Sequence, residues 1–390
     1  MIKFGVDILL QISPIWKNKR IGLVTNIAAV TNNNLPTREA LLKNNFTISK
    51  LFSPEHGLDI VGADGHEIKD GIDELTGLPI ISLYSNKLAP TKEDLEDIDI
   101  ILFDIPDIGS RFYTYLWTMT YVMEACSENK KKLIILDRPN PISGNLDLSE
   151  GPFLNEAQSS FIGRWSIPIR HSCTLGELAL YFNAVKNIQC DLEIITCGDW
   201  DRNSFQSDWG IPFVPTSPAI QNFEAMLLYP GLCLLEATNI SEGRGTDHSF
   251  SLAGAPWLKG ESIAGILNDM GFDEVIATPT SFKPDDINGK YYKQNCGGLR
   301  LRIRERRFFQ PVYFGLLLIR LIKQLYPNDL QWKPYPTLVN PTGKDHLDKL
   351  LGFEKSENLF DLPLPKFIRE ITLLTQSRTW KQEIGNYLLY

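Results

Sequence analysis

The sequence has little of what marks a nucleic-acid-binding, membrane-spanning or metal-binding protein. Its 390 residues carry a formal net charge of −8, whereas binding to a nucleic-acid backbone rests on clustered Lys and Arg. No apolar run approaches the roughly 18 residues of a membrane span. The six cysteines are scattered without a CxxC pair, and we interpret them as buried thiols. We therefore expect no nucleic-acid partner, no membrane partner and no resident metal.

Glycine is absent where a dinucleotide-binding fold needs it. The first predicted strand continues as LVTNIAAVTNN, without the GxGxxG turn that accommodates a pyrophosphate. We therefore expect no cofactor. The N-terminal segment MIKFGVDILLQ has no basic region followed by an apolar stretch and a cleavage site. As written, the sequence predicts a cytoplasmic protein, and an exported protein with a trimmed signal is the alternative.

Short apolar runs alternate with helix-like segments over the first 200 residues. Runs rich in Ile, Leu and Val, without polar alternation, are typical of parallel strands buried on both faces. Their alternation with helices predicts a doubly wound α/β domain. The predicted strands are Ile21–Thr25, Ile48–Phe52, Pro79–Tyr84, Ile98–Phe103 and Leu133–Leu136, and the predicted helices between them are Thr37–Lys43, Thr91–Glu96 and Phe112–Cys126.

The later part of the chain is less regular. Thr174 and Glu177 form a plausible capping box at the start of a helix. The stretch Gly198–Ile220, rich in Trp, Pro, Gly and Asp, is interpreted as a domain boundary and a possible wall of the site. Beyond it we predict helices near Phe223–Leu228, Pro311–Tyr326, Lys366–Thr375 and Trp380–Leu388, with a strand at Leu299–Ile303.

Several predicted strands end in acidic or polar residues. Ligands of open parallel sheets bind outside the carboxyl ends of the strands, so these residues predict an active site at one rim. Glu55 is the hardest to explain structurally, because Pro54 and Gly57 fix its backbone without an evident gain for the core. The strand-end residues are Asn26, Glu55, His56, Asp104, Asp107, Asp137 and Arg138.

Several of the other candidates also have a structural interpretation. Asp107 suits a helix cap, Asp137 and Arg138 suit an ion pair, and Arg111 and Tyr113 suit helix packing. The second half offers one comparable segment, EATNISEGRGTDHSF, residues 236–250. There Gly243 and Gly245 flank Arg244, a guanidinium suited to bidentate carboxylate binding.

Seven segments resemble the bacterial exo-β-N-acetylmuramidase family, formerly a family of unknown function. They are FGVDILL, SPEHG, DIPDIGSRFYTYLWTM, LDRPNPI, RHSCTLGELAL, YPGLCLLEATNISEGRGT and GAPW. The resemblance implies a Rossmann-like domain over residues 1–220, a smaller α/β (α+β) domain over 221–390 and an active cleft at their interface. It also implies release of N-acetylmuramic acid from the non-reducing ends of peptidoglycan fragments, with Glu55 as the catalytic acid.

The expected site follows from this resemblance and from the residues above. We expect Glu55 and Glu242 to be catalytic, with the 2-acetamido group, Asp104 or Asp107 as alternatives to Glu242. Arg244 or Arg111 is expected to bind the lactyl carboxylate of the sugar. The expected substrate-binding residues are Asn26, His56, Asp104, Asp107, Arg111, Tyr113, Asp137, Arg138, Asn239 and Arg244.

Two other functions remain open at this level. A metal-dependent hydrolase would use His56, Asp104, Asp107 and Asp137 as ligands. A muropeptide-binding module would bind the same fragments without turnover. The sequence contains no feature that sets the oligomeric state.

Overall fold

A computed structural model describes residues 1–390. The N-terminal part is built on a seven-stranded sheet in which the strand order is β3-β4-β2-β1-β5-β6-β7. The six parallel strands follow the order of a Rossmann-like doubly wound sheet, and β3 pairs antiparallel to β4 at the edge. The strands are β1 Ile21–Thr25, β2 Ile48–Ser53, β3 Gly71–Ile72, β4 Pro79–Ser82, β5 Ile100–Asp104, β6 Lys132–Leu136 and β7 Leu192–Ile195.

Helices cover both faces of this sheet, as the apolar strand runs predicted. Along β1, Leu23 packs into one core and Val24 into the other. Leu102 and Phe103 of β5 divide between the same two cores. The helices of this part are α1 Gly5–Gln11, α2 Thr37–Lys43, α3 Lys92–Leu95, α4 Tyr115–Glu128 and α5 Leu175–Val185.

The predicted capping box of α5 is present. The Thr174 hydroxyl accepts from the Glu177 amide, and the Glu177 carboxylate accepts from the Thr174 amide. Helix α1 and strand β7 were not predicted. Each is short, seven and four residues, so neither contains enough repeats of its own periodicity to stand out.

The C-terminal part contains a three-stranded antiparallel sheet of order β8-β10-β9. Its strands are β8 Leu252–Ala255, β9 Val275–Phe282 and β10 Cys296–Ile303. Strand β9 was missed because Pro279 interrupts its pattern, and its edge position explains why the proline is tolerated. The helices are α6 Phe223–Leu232, α7 Gly260–Asp269, α8 Pro311–Leu325, α9 His346–Leu351, α10 Leu364–Leu374 and α11 Trp380–Ile384.

The end of the chain returns to the N-terminal part. The Trp380 indole donates to the His171 carbonyl, and the Tyr390 hydroxyl donates to Asp137. A division at residue 220 therefore leaves the last helix packed against the first domain. None of the helices is both long enough and apolar enough to cross a membrane.

Candidate active site

The SPEHG segment forms a tight turn at the carboxyl end of β2. His56 and Gly57 both adopt left-handed backbone conformations, with φ of 67° and 80°, and the Gly57 amide donates to the Pro54 carbonyl at 3.0 Å. A left-handed conformation is unfavourable for most residues and favours glycine. The turn therefore holds Glu55 in one orientation just beyond the sheet.

Glu55 is buried, and both of its carboxyl oxygens are held. Oε2 accepts from the Thr114 hydroxyl at 2.7 Å, and Oε1 accepts from the Gly65 amide at 3.1 Å. Burial raises the pKa of Glu55, and although His56 opposes the shift, Asp64 adds to it. The turn thus presents a carboxyl group that favours its protonated form more than an exposed glutamate does.

The opposite wall comes from the C-terminal part. A 3₁₀ turn at Cys233–Ala237 follows α6 and places Glu236 across from the SPEHG turn. Glu236 accepts from Arg244 Nη2 at 2.7 Å and from His346 Nε2 at 3.3 Å. Burial alone would raise the pKa of Glu236, but Arg244 and His346 outweigh it and hold the pKa below its usual range.

Glu55 and Glu236 line the same inner pocket, which lies between the two parts of the chain. A larger outer cleft, with a volume of about 1120 Å³, adjoins it. Most of its lining residues are not hydrophobic, and most come from the C-terminal part. The two cavities share the residues His56, Asp64, Ala219, Glu236, Arg244 and Tyr335.

Six of the predicted site residues lie at these cavities. Glu55 and Tyr113 line the inner pocket, Asn239 and Glu242 line the outer cleft, and His56 and Arg244 line both. Ser217 and Ala219 also line the inner pocket. The end of the stretch interpreted as a boundary therefore does form part of the wall.

Other predicted residues lie elsewhere and have structural partners. Asp104 is fully buried, accepting from Arg138 Nε at 2.5 Å and from the Thr37 hydroxyl at 2.6 Å. Asp137 accepts from the Gly176 amide and the Tyr390 hydroxyl. Asn26 accepts from the Ala28 amide two residues later. None of these lines the inner pocket or the outer cleft, so the expected convergence of strand-end carboxylates at one site is not observed.

Asp107 and Arg138 border a separate, mainly apolar cavity of about 70 Å³ beyond the carboxyl ends of β1, β5 and β6. Asp107 accepts from the Gly109 amide at 2.8 Å and lies 3.2 Å from His171 Nε2. His56, Asp104, Asp107 and Asp137 consequently do not form one cluster. Residues 1–390 contain no group of three or more His, Cys, Asp or Glu side chains arranged to hold a metal ion.

Arg111 is fully buried and faces neither cavity. Its guanidinium donates to the carbonyls of Pro152, Ile167 and Leu350 at 2.6, 2.9 and 2.5 Å. Burial lowers the pKa of Arg111 to about 9, so the group remains charged at neutral pH. Of the two arginines considered for a substrate carboxylate, only Arg244 lies where a ligand can reach it.

Comparison with known families identifies the family of the chain. The profile described as exo-β-N-acetylmuramidase NamZ, N-terminal, matches residues 21–224, and the corresponding C-terminal profile matches residues 227–390. The chain belongs to the exo-β-N-acetylmuramidase family. It is therefore a glycosidase, and the resemblance noted in the sequence is confirmed.

Individual relatives of this exo-β-N-acetylmuramidase support the assignment. The chain is 40% identical over 333 residues to the peptidoglycan β-N-acetylmuramidase NamZ of Bacillus subtilis, covering 85% of this chain and 80% of the relative. Two crystal structures of DUF1343 family proteins from Bacteroides fragilis are each 28% identical, with TM-scores of 0.86 and 0.76. Each comparison covers 100% of this chain and 99% of the other, so the two-part architecture is shared.

Several residues of the exo-β-N-acetylmuramidase pocket were not singled out from the sequence, among them Asp64, Tyr84, Glu236, Tyr335 and His346. Glu236 opens the quoted segment, but Glu242, two residues before Arg244, was the preferred catalytic candidate. Tyr84 follows β4, and its buried hydroxyl has no hydrogen-bond partner, which leaves it able to donate to a substrate. Tyr335 and His346 do not follow a predicted strand, so the strand-end pattern used to select site residues did not include them.

Proposed function

We propose that Glu55 and Glu236 divide the catalytic work of glycoside hydrolysis. The observation that carries this proposal is that two carboxyl groups line one pocket while their pKa values are displaced in opposite directions. Environments that push a pair of titratable groups apart in this way indicate which is the acid and which stays ionised. Glu55 is the general acid, and Glu236 is the ionised partner.

Glu55 donates its proton to the glycosidic oxygen as the bond to the leaving sugar breaks. The Thr114 hydroxyl and the Gly65 amide orient the carboxyl group before the substrate arrives. Since the acid must be protonated, activity falls as pH rises through the pKa of Glu55. Protonation of Glu236 at low pH removes its charge, and this gives the acidic limb of the pH–activity profile.

Glu236 supplies negative charge on the side of the anomeric carbon, where positive charge develops in the transition state. Glu242, the residue preferred from the sequence, lies on the outer cleft with Arg244 Nε 3.3 Å from Oε1 and Lys290 Nζ donating to Oε2 at 2.9 Å. These partners favour a supporting position for Glu242. The 2-acetamido group of the substrate is the other candidate for attack on the anomeric carbon.

Arg244 is proposed to bind the lactyl carboxylate that distinguishes N-acetylmuramic acid from N-acetylglucosamine. Its Nη2 already bonds to Glu236, and its Nε has no hydrogen-bond partner within the chain. A guanidinium with an available N–H recognises a carboxylate well. The substrate class is proposed to be peptidoglycan fragments, supported by the name of the Bacillus subtilis relative.

The roles are separated by comparing two substrates that differ in leaving group. A chromogenic β-N-acetylmuramide has a good leaving group and needs little acid assistance, whereas N-acetylmuramyl-N-acetylglucosamine has a poor one. Glu55→Gln should therefore lose about two to four orders of magnitude in kcat on the disaccharide, should lose much less on the chromogenic sugar, and should lose the alkaline limb of the pH profile.

Glu236→Gln should impair both substrates to a similar degree, because charge at the anomeric carbon is needed for either. Glu242→Gln is the matched comparison, a neutral carboxamide introduced on the outer wall. If Glu55→Gln keeps a tenth of the parent activity on the disaccharide, the acid assignment is wrong. If Glu242→Gln loses as much as or more than Glu236→Gln, Glu242 takes the second role.

A further inference from the structure

The inner pocket is too small for the sugar that must enter it. Its free volume is about 60 Å³, whereas ligand sites usually have about 300–1,000 Å³. The adjoining outer cleft, at about 1120 Å³, is ample. The six residues shared by the two cavities lie between them, and we call these residues the partition.

Asp64 is the centre of the partition. Its Oδ2 accepts from the Tyr335 hydroxyl at 2.6 Å, and its Oδ1 lies 3.8 Å from Arg244 Nη2 and 3.9 Å from His56 Nε2. Tyr335 and Arg244 belong to the C-terminal part, whereas Asp64 belongs to the loop after the SPEHG turn. One carboxylate therefore joins the two walls of the cleft.

The next residue extends this connection to the catalytic acid. The Gly65 amide donates to Glu55, and the Gly65 carbonyl accepts from the Leu338 amide at 2.7 Å. A Cβ on Gly65 would approach Thr337 to 2.7 Å, and its φ is 69°. The Asp64–Gly65 segment thus fits tightly between Glu55 and the loop that carries Tyr335.

Electrostatics identifies which carboxylate yields to a substrate anion. Arg244 faces Glu236 at 2.7 Å, Glu242 at 3.3 Å and Asp64 at 3.8 Å. Asp64 is the most distant of the three and has the most exposed side chain, at 30% compared with 6% and 4%. A fourth carboxylate approaching Arg244 is repelled by all three and most easily replaces Asp64.

We propose that Asp64 is an internal stand-in for the lactyl carboxylate of the substrate, closing the partition in the free enzyme and yielding its place at Arg244 and Tyr335 when the substrate binds. This inference rests on the proposed binding of the lactyl group by Arg244. A sugar without the carboxylate cannot replace the lost contacts of Asp64, so discrimination begins at entry.

Asp64→Asn tests this role, since it removes the competing charge while leaving an oxygen for Tyr335. The KM for the chromogenic β-N-acetylmuramide should fall about five- to tenfold, the difference between a charged and a neutral hydrogen-bond partner, with kcat within about twofold. Asp59→Asn is the matched control, because it changes the net charge equally on the same loop without contacting the C-terminal part. Its KM should be unchanged.

If Asp64 only held its loop in place, the variants would behave differently. If Asp64→Asn raises KM, lowers kcat with KM unchanged, or matches Asp59→Asn, the stand-in role is overturned. Asp64→Ala, with thermal unfolding to confirm its fold, should shift KM in the same direction, and a rise would count against the proposal. Arg244→Ala separates the proposed lactyl site from the inference about Asp64. If this variant does not impair cleavage of the chromogenic β-N-acetylmuramide more than that of the corresponding β-N-acetylglucosaminide, the proposed lactyl site itself fails. If Arg244→Ala does impair the muramide more, and Asp64→Asn does not lower KM below the parental value, only the inference about Asp64 fails.

Discussion

The two arginines considered for the lactyl carboxylate offer a direct test of how location determines function. Arg111 and Arg244 were equal candidates for the lactyl carboxylate from the sequence, and the structure places only Arg244 at the cleft. Arg111 instead joins the carbonyls of Pro152 and Ile167 to that of Leu350 in α9. We expect Arg111→Met to affect stability and Arg244→Met to affect substrate selectivity.

The magnitude for Arg111 follows from its three hydrogen bonds. A hydrogen bond to a charged group contributes about 1.5–3 kcal/mol, and removal of the guanidinium leaves three buried carbonyls without their donor. Recovery of the desolvation free energy of the charge offsets part of this loss. We expect the free energy of unfolding to fall by about 4 kcal/mol, near the upper end of the range for single substitutions.

The assay combines urea unfolding, followed by tryptophan fluorescence, with kinetics on the muramide and the glucosaminide. Arg111→Met should lower the urea midpoint and should change kcat/KM by the same factor on both sugars. Arg244→Met should impair both sugars, because Arg244 also keeps the buried Glu236 ionised. On the muramide it should lose a further 1.5–3 kcal/mol, roughly, of transition-state binding. An Arg111 variant with parental stability and lost muramide selectivity would refute this reasoning.

Two further predictions concern stability. Glu150 accepts from the Val312 and Tyr313 amides, and burial raises its pKa from 4.5 to about 7. Because the pKa is higher in the folded state, the stability that this group contributes below pH 4.5 is lost as the pH rises towards 7. The loss is about 3 kcal/mol, at 1.36 kcal/mol per pKa unit. Glu150→Gln should therefore flatten the pH dependence of unfolding across this window, and an unchanged slope would contradict the assignment. Gly315→Ala should destabilise by about 3 kcal/mol through overpacking, because its Cβ would lie 2.4 Å from the Gly231 carbonyl oxygen. Gly265→Ala is the control, because a Cβ at Gly265 would have no neighbouring atom within 4 Å. It should raise the free energy of unfolding by about 0.5–1 kcal/mol. Equal effects of the two substitutions in urea unfolding would contradict the close contact between the helices that carry Gly231 and Gly315.

The elements that were predicted well are those whose signal is local. Strand β1 and helix α2 lie where the pattern placed them, and α5 starts at its capping box. Continuous apolar runs indicated strands buried on both faces, and the two cores on either side of the sheet confirm this. Burial on both faces is readable from a single strand because it depends on that strand's own residues.

The carboxylates at the strand ends show where local reasoning stops. Asp104 is held by Arg138, 34 residues later, and Asp137 by Tyr390, 253 residues later. No local pattern distinguishes a carboxylate that faces a cleft from one that a distant donor neutralises. For the same reason the sequence could not distinguish Arg111 from Arg244, since the Leu350 carbonyl that Arg111 binds is 239 residues away in the chain.

The sequence by itself determined the class of sheet, the family and the turn that carries Glu55, because each depends on residues adjacent in the chain. Pro54 and Gly57 predict a turn in the backbone whatever the tertiary surroundings of the segment. The tertiary structure alone decided which partners surround Glu55 and that Glu236, rather than a strand-end aspartate, shares its pocket. A carboxyl group's protonation state is set by burial and by charges a few ångströms away, and those neighbours come together only when the two parts of the chain close on one another.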